Sequence, residues 1–363
     1  MNLSKSTMQM ISSNERNHSL DCLRLVACFM VVLLHTAASH WRKVDVTSFS
    51  WQMFNFYDSA SRGAVPLFFM ISGKLFLSKK EIPSIQMLFS KYISKLVVLY
   101  LFWGLLYSID SLGFSSIMRG EYAAVFTLFV NNPKYHLWYL PSLVGVYLLL
   151  PVMWCVANYR DGVYLRYTCL MFMVFGIAWN TISLFCPYGS TFVTFVNRFS
   201  YALSSHSGYF LLGYYLSERS RKGVYSKYKF HHYLIAFLFV VVISTVIGSR
   251  DAIAAGKPKG LLYNNLALPA CVEGILLFLA FNNINISASS HANKRIALMS
   301  RCTLFVYLFH PFLIEHFESW FNLHTESFSA VFSVPIIAAV VFMGSLGLAL
   351  IVNRIPFVNK WLA

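Results

Sequence analysis

The chain has 363 residues, of which 57% are hydrophobic and 12% charged, and its formal net charge is +15. Soluble globular proteins are about a quarter charged, so the composition excludes that class and predicts an integral membrane protein. A basic charge would suggest nucleic acid for a soluble chain, but membrane proteins keep Lys and Arg in short cytoplasmic loops. We therefore expect membrane lipids and no nucleic acid among its partners.

Ten apolar segments are predicted to cross the membrane as helices. They cover about residues 20–38, 63–78, 92–109, 137–157, 167–185, 199–217, 232–249, 264–281, 297–315 and 329–352. The expected fold class is an all-α, polytopic membrane protein with about ten transmembrane helices. It consists of one membrane domain over 19–353 between cytoplasmic tails at 1–18 and 354–363.

The distribution of basic residues orients these segments. With the N-terminus in the cytoplasm, the cytoplasmic connections hold 16 Lys and Arg, and those on the opposite side hold 9. The positive-inside rule therefore favours both termini in the cytoplasm. Residues 1–18 precede an apolar run too long for a signal core, so the first span is expected to remain as an anchor.

The first apolar run holds Asp21, Arg24 and His35 at positions where hydrocarbon is expected. An ionisable residue at membrane depth is costly unless it is paired or faces water, so each is a functional candidate. Arg24 and His35 are eleven residues apart, which returns to nearly the same helical face with a rise of about 16 Å. Both should face one interior at two depths. Structural alternatives remain for both residues. Arg24 could pair with Asp21 or snorkel to the interface, and His35 could simply be hydrogen-bonded to a backbone carbonyl.

These two residue types suit different parts of one reaction. A buried histidine can act as a general base, and a guanidinium at the cytoplasmic mouth can recognise phosphate with two hydrogen bonds. The pair suggests a phosphate-bearing donor that enters from the cytoplasm with its reactive end toward His35. Lys74, Lys95 and Arg301 also lie at the edges of spans, where snorkelling explains Lys74 and Lys95 equally well.

Four segments beyond the first span carry further recognisable patterns. The first is Ser59 to Gly73, which includes Arg62 and ends in Ser72-Gly73, and the second is Tyr135 to Leu140, which includes His136, Trp138 and Tyr139. The third is Tyr209 to Gly213, and the fourth is Tyr307 to Pro311, which includes His310. With Asp21-x-Leu23-Arg24 and His35, they resemble in order the motifs of the acyltransferase-3 family, integral membrane enzymes that O-acylate glycans and lipids. The set is most similar to the branch of the enterobacterial common antigen and O-antigen O-acetyltransferases. The family's Arg-x-x-Arg at the third span is represented here by Lys91 and Lys95.

The resemblance implies an O-acetyltransferase of the bacterial inner membrane. Its donor substrate would be acetyl-CoA, with no permanently bound cofactor, and its acceptor a glycan or lipid-linked glycan. His35 would remove the proton from the acceptor hydroxyl, while Asp21 and Arg24 order the cytoplasmic end. The pantetheine arm of CoA is about as long as the separation of Arg24 and His35 that we infer from the helix rise.

The remaining candidates divide into two groups by expected contact. Those expected to contact the donor are Arg24, Ser72, Gly73, Lys74 and Lys95, and those expected to contact the acceptor are Arg62, His136, Trp138, Tyr139, Tyr307 and His310. Small residues at helix crossings often only pack, aromatic residues at span ends form interfacial belts, and a structural hydrogen bond explains Tyr307 and His310 as well as catalysis does.

Other functional classes are less well supported by the sequence. No CxxC pair, HExxH motif, P-loop or GxSxG elbow is present, so we expect no metal site. A transporter or flippase of a lipid-linked glycan is the main competing interpretation, because many of these also have ten spans with intramembrane charges. A structural scaffold would explain the apolar runs but not the charged interior.

Overall fold

The structure is a computed structural model that describes residues 17–131, 134–187, 190–201, 204–284 and 289–355. Throughout this part of the chain the regular structure is helical. The helices are α1 His18–Ala38, α2 Phe49–Ser59, α3 Ala64–Leu77, α4 Ile85–Leu112, α5 Ser115–Met118, α6 Tyr122–Asn131, α7 Tyr139–Leu148, α8 Leu150–Asn158, α9 Arg160–Ser183, α10 Thr191–Ser200, α11 Ser207–Arg221, α12 Phe230–Ala255, α13 Leu268–Asn282, α14 Ser290–Arg301, α15 Thr303–Phe321 and α16 Ala330–Val352.

The number of membrane spans follows from helix length and composition. Among the described residues, six helical segments are long and apolar enough to cross a membrane, and two bent pairs raise the number to eight. The pairs are α7 with α8, bent by 56°, and α14 with α15, bent by 58°. The all-helical, polytopic fold class is thus confirmed. The predicted spans at 199–217 and 264–281 correspond to α11 and α13, which have 15 residues each.

Four helices, α2, α5, α6 and α10, lie largely outside the predicted spans, and two of them, α2 and α6, pack most closely on the predicted spans. Helix α2 begins after Ser48, whose side chain accepts a hydrogen bond from the Trp51 N–H at 3.2 Å and so caps the helix. It continues through a short turn into α3, and together they form one apolar segment of 29 residues. The other is α6, a short apolar helix of 10 residues that packs beside α4.

Helix α1 lies at the centre of the bundle. The Asn17 side chain caps its first turn by accepting a hydrogen bond from the Leu20 N–H at 3.1 Å. The helix then packs against α2, α3 and each of α13 to α16. Because α1 has neighbours on most sides, the polar residues it carries face the protein interior.

Helices α3 and α11 cross at very short range. A Cβ atom on Gly73 would collide with the Phe210 carbonyl, and one on Gly213 would collide with the Met70 carbonyl. The two glycines therefore allow the backbones to approach each other, as small residues do between membrane helices. This crossing holds the second predicted span in the bundle.

Hydrogen bonds tie helix ends together at both ends of the bundle. At one end, the Ser19 hydroxyl donates to the Ile284 carbonyl at 2.7 Å, beside the start of α1 and the end of α13. At the other, the Tyr57 hydroxyl donates to the Val331 carbonyl at 2.6 Å. The positions of these helix ends agree with a chain that crosses the membrane back and forth. Which end faces the cytoplasm stays a prediction, and the predicted tails lie largely outside the described residues.

Candidate active site

A layer of aromatic side chains around His35 occupies the interior of the bundle. The His35 ring stacks on the His310 ring, with centroids 5.3 Å apart and planes inclined by 23°. On another side it contacts the Tyr135 ring at 4.9 Å. The His136 ring lies 5.7 Å from that of His310. Three histidines from α1, α15 and the turn before α7 are therefore brought together.

The surroundings of His310 within α15 determine which of its ring nitrogens carries the proton. Pro311 follows it and has no N–H, so it breaks the regular hydrogen bonding of the helix at this point. The His310 Nδ1 atom lies 3.1 Å from the Val306 carbonyl oxygen. Because a carbonyl only accepts, Nδ1 carries the proton and Nε2 presents a lone pair. The Nε2 atom is fully buried without a hydrogen-bond partner in the described structure.

Tyrosines hold the rest of the layer in place. The Tyr307 hydroxyl donates to the His136 carbonyl, and the Tyr107 hydroxyl donates to the Leu308 carbonyl at 2.7 Å. The Tyr139 ring packs edge-on against that of Tyr307 at 5.4 Å. These contacts tie α7 to α15, so the sequence segments around His136 and His310 form one structural unit.

On one side of this layer lies a cavity of about 320 Å³, which we call the basic cavity. Its lining residues are Arg24, Val31, Val65, Phe68, Ser72, Lys91, Tyr92, Lys95, Leu96, Tyr139, Leu143, Tyr147, Ser300, Arg301, Thr303, Leu304 and Tyr307. Four cations therefore surround a largely apolar cleft that reaches the tyrosines of the layer. Such a lining suits an extended ligand with a phosphate-bearing end and an apolar middle.

On the other side lies a cavity of about 590 Å³, which we call the histidine cavity. Its lining residues are His35, Thr36, Ala38, Ser39, His40, Arg42, Lys43, Tyr135, Ile314, Glu315, Phe317, Glu318, Leu323, His324, Thr325 and Ile337. It extends from His35 to the loop that follows α1. The two cavities thus adjoin the same aromatic layer, one through Tyr139 and Tyr307 and the other through His35 and Tyr135.

Several predicted donor contacts meet in the basic cavity, and others do not. Arg24, Ser72 and Lys95 line it. Gly73 instead packs on the Phe210 carbonyl, and Lys74 donates to the Asn282 side chain and lines a separate polar cavity. The reason is helical geometry, because adjacent residues of α3 point about 100° apart.

Asp21 does not line the basic cavity. Its carboxylate is buried, with 4% of the residue exposed, and lies 3.8 Å from His18 Nδ1. It belongs to the first turn of α1, where a carboxylate interacts favourably with the helix dipole. This placement suits a structural role at the end of the helix.

The predicted acceptor contacts are more dispersed than the sequence suggested. Tyr139 and Tyr307 line the basic cavity, whereas His136 and His310 belong to the layer itself. Trp138 packs against the His206 ring at 5.3 Å and lines neither cavity.

Arg62 lines neither cavity and takes part in a network at the turn between α2 and α3. Its guanidinium pairs with the buried Asp58 carboxylate and donates to the Tyr263 carbonyl at 2.8 Å. The same guanidinium lies 4.1 Å above the Tyr263 ring. The Gly63 N–H next to it donates to the buried Glu273 at 3.0 Å. These contacts fix the turn between α2 and α3.

The sequence reasoning missed residues that complete the site. Tyr135 and Glu315 line the histidine cavity, as do His40 and His324, whose ring centroids lie 5.2 Å apart with planes inclined by 30°. Tyr135 is the first residue of a motif segment, which was a usable signal. His40 and His324 lie in loops and Glu315 lies within α15, and no motif marks these three residues. Among the described residues, no group of three His, Cys, Asp or Glu is arranged to hold a metal ion.

Comparisons with known proteins place most of the chain in one sequence group. The profile of the acyltransferase-3 group, described as an acyltransferase domain, matches residues 17–354. No solved structure matches the chain significantly.

Two curated relatives carry the names of racemases. The serine/alanine racemase of Enterococcus gallinarum is 28% identical over 325 residues, which cover 84% of this chain and 42% of that protein. The amino-acid racemase of Enterococcus faecalis is 26% identical over 314 residues, which cover 82% of this chain and 41% of that protein. The chain thus spans about two-fifths of the length of the curated relatives it matches.

Proposed function

This chain belongs to the acyltransferase-3 family, and we propose that it is a membrane O-acetyltransferase that moves an acetyl group from acetyl-CoA to a hydroxyl of a cell-surface glycan or its lipid-linked precursor. The acceptor would be of the O-antigen or enterobacterial common antigen type, and the enzyme would reside in the bacterial inner membrane. The observation that carries this proposal is the pair of cavities that adjoin the layer containing His35.

The donor is proposed to occupy the basic cavity. The phosphates of CoA would lie among Arg24, Lys95 and their neighbouring cations, with Ser72 beside the arm. The apolar stretch toward Tyr139 and Tyr307 would take the pantetheine arm, so these tyrosines serve the donor rather than the acceptor. The thioester would then reach the aromatic layer.

The acceptor is proposed to occupy the histidine cavity, with its hydroxyl at His35. As the hydroxyl oxygen forms a bond to the thioester carbonyl carbon, its proton passes to the His35 imidazole. Collapse of the tetrahedral intermediate breaks the C–S bond, and the leaving thiolate takes the proton back. The products are an O-acetyl ester and free CoA. The stacked His310 ring would hold His35 in place during both transfers.

A test must separate acyl transfer from transport. Purified protein is reconstituted in liposomes with lipid-linked glycans, and radiolabelled acetyl-CoA is added. We expect label in the glycan as an alkali-labile ester, with release of an equal amount of CoA thiol. Movement of the glycan across the bilayer without label would instead support a flippase. The racemase activity named for the two relatives is not carried over, since they are more than twice as long as the matched region.

A further inference from the structure

The mouth of the histidine cavity, at the loop after α1, carries several basic residues. His40, Arg42 and Lys43 come from the loop after α1, and His324 comes from the turn between α15 and α16. Arg42 and Lys43 are exposed and have no ion-pair partner within the part of the chain that the structure describes. The cavity that they line continues down to His35.

The carboxylates in the same cavity already have basic partners. Glu315 forms an ion pair with Lys134 at 2.6 Å, and only 12% of the lysine side chain is exposed. Glu318 lies 3.5 Å from the His40 Nε2 atom. Among the residues that line the cavity, and with Lys134 counted against Glu315, Arg42 and Lys43 exceed the one remaining carboxylate, Glu318, while Glu326 lies near His40 outside the lining. The charge left available to a ligand is therefore positive.

The size and course of the cavity limit what can bind there. Its volume of about 590 Å³ lies within the range of small-molecule sites. Few aromatic rings line it, so recognition must rest on charge and hydrogen bonds more than on stacking. A ligand with a negative group at Arg42 and Lys43 would direct its remaining part toward His35.

We propose that the acceptor substrate is anionic and that Arg42 and Lys43 bind its carboxylate or phosphate while its hydroxyl reaches His35. This inference rests on the proposed function and names the chemical class of its acceptor. A guanidinium binds either anion through two parallel hydrogen bonds, and the neighbouring ammonium adds a second charge. A uronic acid or a sugar phosphate has the required combination of anion and hydroxyl.

His40 gives this site a pH dependence. Burial and the nearby Lys43 lower the pKa of His40 from its usual 6.5, and Glu318 acts in the opposite direction. His324 and Glu326 also face it. A bound anion would act as Glu318 does and favour the charged imidazole. Anion affinity should therefore rise as the pH falls toward the lowered pKa of His40.

Binding of small probes to the full chain tests the proposal. The protein is placed in nanodiscs of neutral lipid, and dissociation constants are measured by calorimetry for glucuronate, glucose 6-phosphate and glucose. We expect at least one anionic probe to bind about tenfold more tightly than glucose. Comparison of the two anions distinguishes a carboxylate from a phosphate acceptor. Binding should weaken between low and high salt.

Matched variants locate the effect. Arg42→Gln with Lys43→Gln should reduce binding of the anionic probe about tenfold and leave glucose unchanged. Lys257→Gln with Lys259→Gln removes two cations from another loop and should change neither. Equal binding of all three probes, binding of none, or an unaffected double variant at residues 42 and 43 would overturn the proposal. Anion binding without acetyl transfer would overturn only the proposed function.

Discussion

Arg24 and His35 lie on one helix but serve different cavities. Arg24 lines the basic cavity and His35 lines the histidine cavity, and the aromatic layer adjoins both. Their shared interior orientation was predictable, because eleven residues return to nearly the same face of a helix. That they would face two separate spaces was not, since the layer is built by residues from α7 and α15.

Replacement of Arg24 tests the donor side at the scale of one residue. A hydrogen bond to a charged group contributes about 1.5–3 kcal/mol, so Arg24→Gln should raise the KM for acetyl-CoA at least about tenfold. Arg24→Lys should be intermediate, because it keeps the charge but loses the two-pronged geometry. Arg166→Gln, an exposed arginine outside the basic cavity, is the control. An unchanged KM in Arg24→Gln would remove this residue from donor binding.

At the residue scale, the sequence predicted which residue types form the site better than it predicted where each side chain points. Ser72 and Gly73 were predicted to act together, yet only Ser72 lines the basic cavity. Trp138 was expected to contact the acceptor, and its ring packs on that of His206. Both differences depend on which neighbour a side chain meets, and a motif contains no information about that.

At the scale of elements, two neighbouring substitutions at the crossing of α3 and α11 should affect different properties, one the stability of the protein and the other its activity. Gly73→Ala should destabilise the protein by about 1–3 kcal/mol, because the added methyl group would meet the Phe210 carbonyl and push the helices apart. Thermal unfolding in detergent measures this effect. Ser72→Ala, one residue earlier, should keep the unfolding temperature and weaken use of acetyl-CoA. Equal unfolding temperatures for Gly73→Ala and the unmodified protein would show that the crossing is not tight.

The apolar runs predicted the helices well, but not their breaks. The predicted span at 297–315 is bent by 58° between α14 and α15, and the one at 137–157 is bent by 56° between α7 and α8. The bend between α14 and α15 lies where Ser300, Arg301 and Thr303 line the basic cavity. A hydropathy average over a window of residues does not detect such a bend, because the bend is set by tertiary packing.

The whole molecule has one end where cations concentrate around the basic cavity and another where the histidine cavity lies. The positive-inside rule assigns the first end to the cytoplasm, which is also where CoA would enter. The sequence predicted this orientation from loop charges alone. The position of the two cavities relative to His35 came only from the assembled bundle.

Tag accessibility tests this orientation. A peptide tag inserted after Lys222 should be hidden from antibody in intact spheroplasts and become accessible after permeabilisation. A tag inserted after Lys257, in the loop between α12 and α13, should be accessible in both. The reverse pattern would place the basic cavity on the outer side and exclude entry of CoA from the cytoplasm.

The central claim is that His35 carries out the transfer while the donor binds elsewhere. The most direct measurement follows binding of labelled acetyl-CoA and label transfer in parallel for His35→Ala, with His231→Ala, an exposed histidine outside both cavities, as the control. Loss of a general base should lower transfer by about 10²–10⁴-fold, whereas donor affinity should stay within about threefold. Transfer that persists undiminished in His35→Ala, with the donor still bound, would contradict the account.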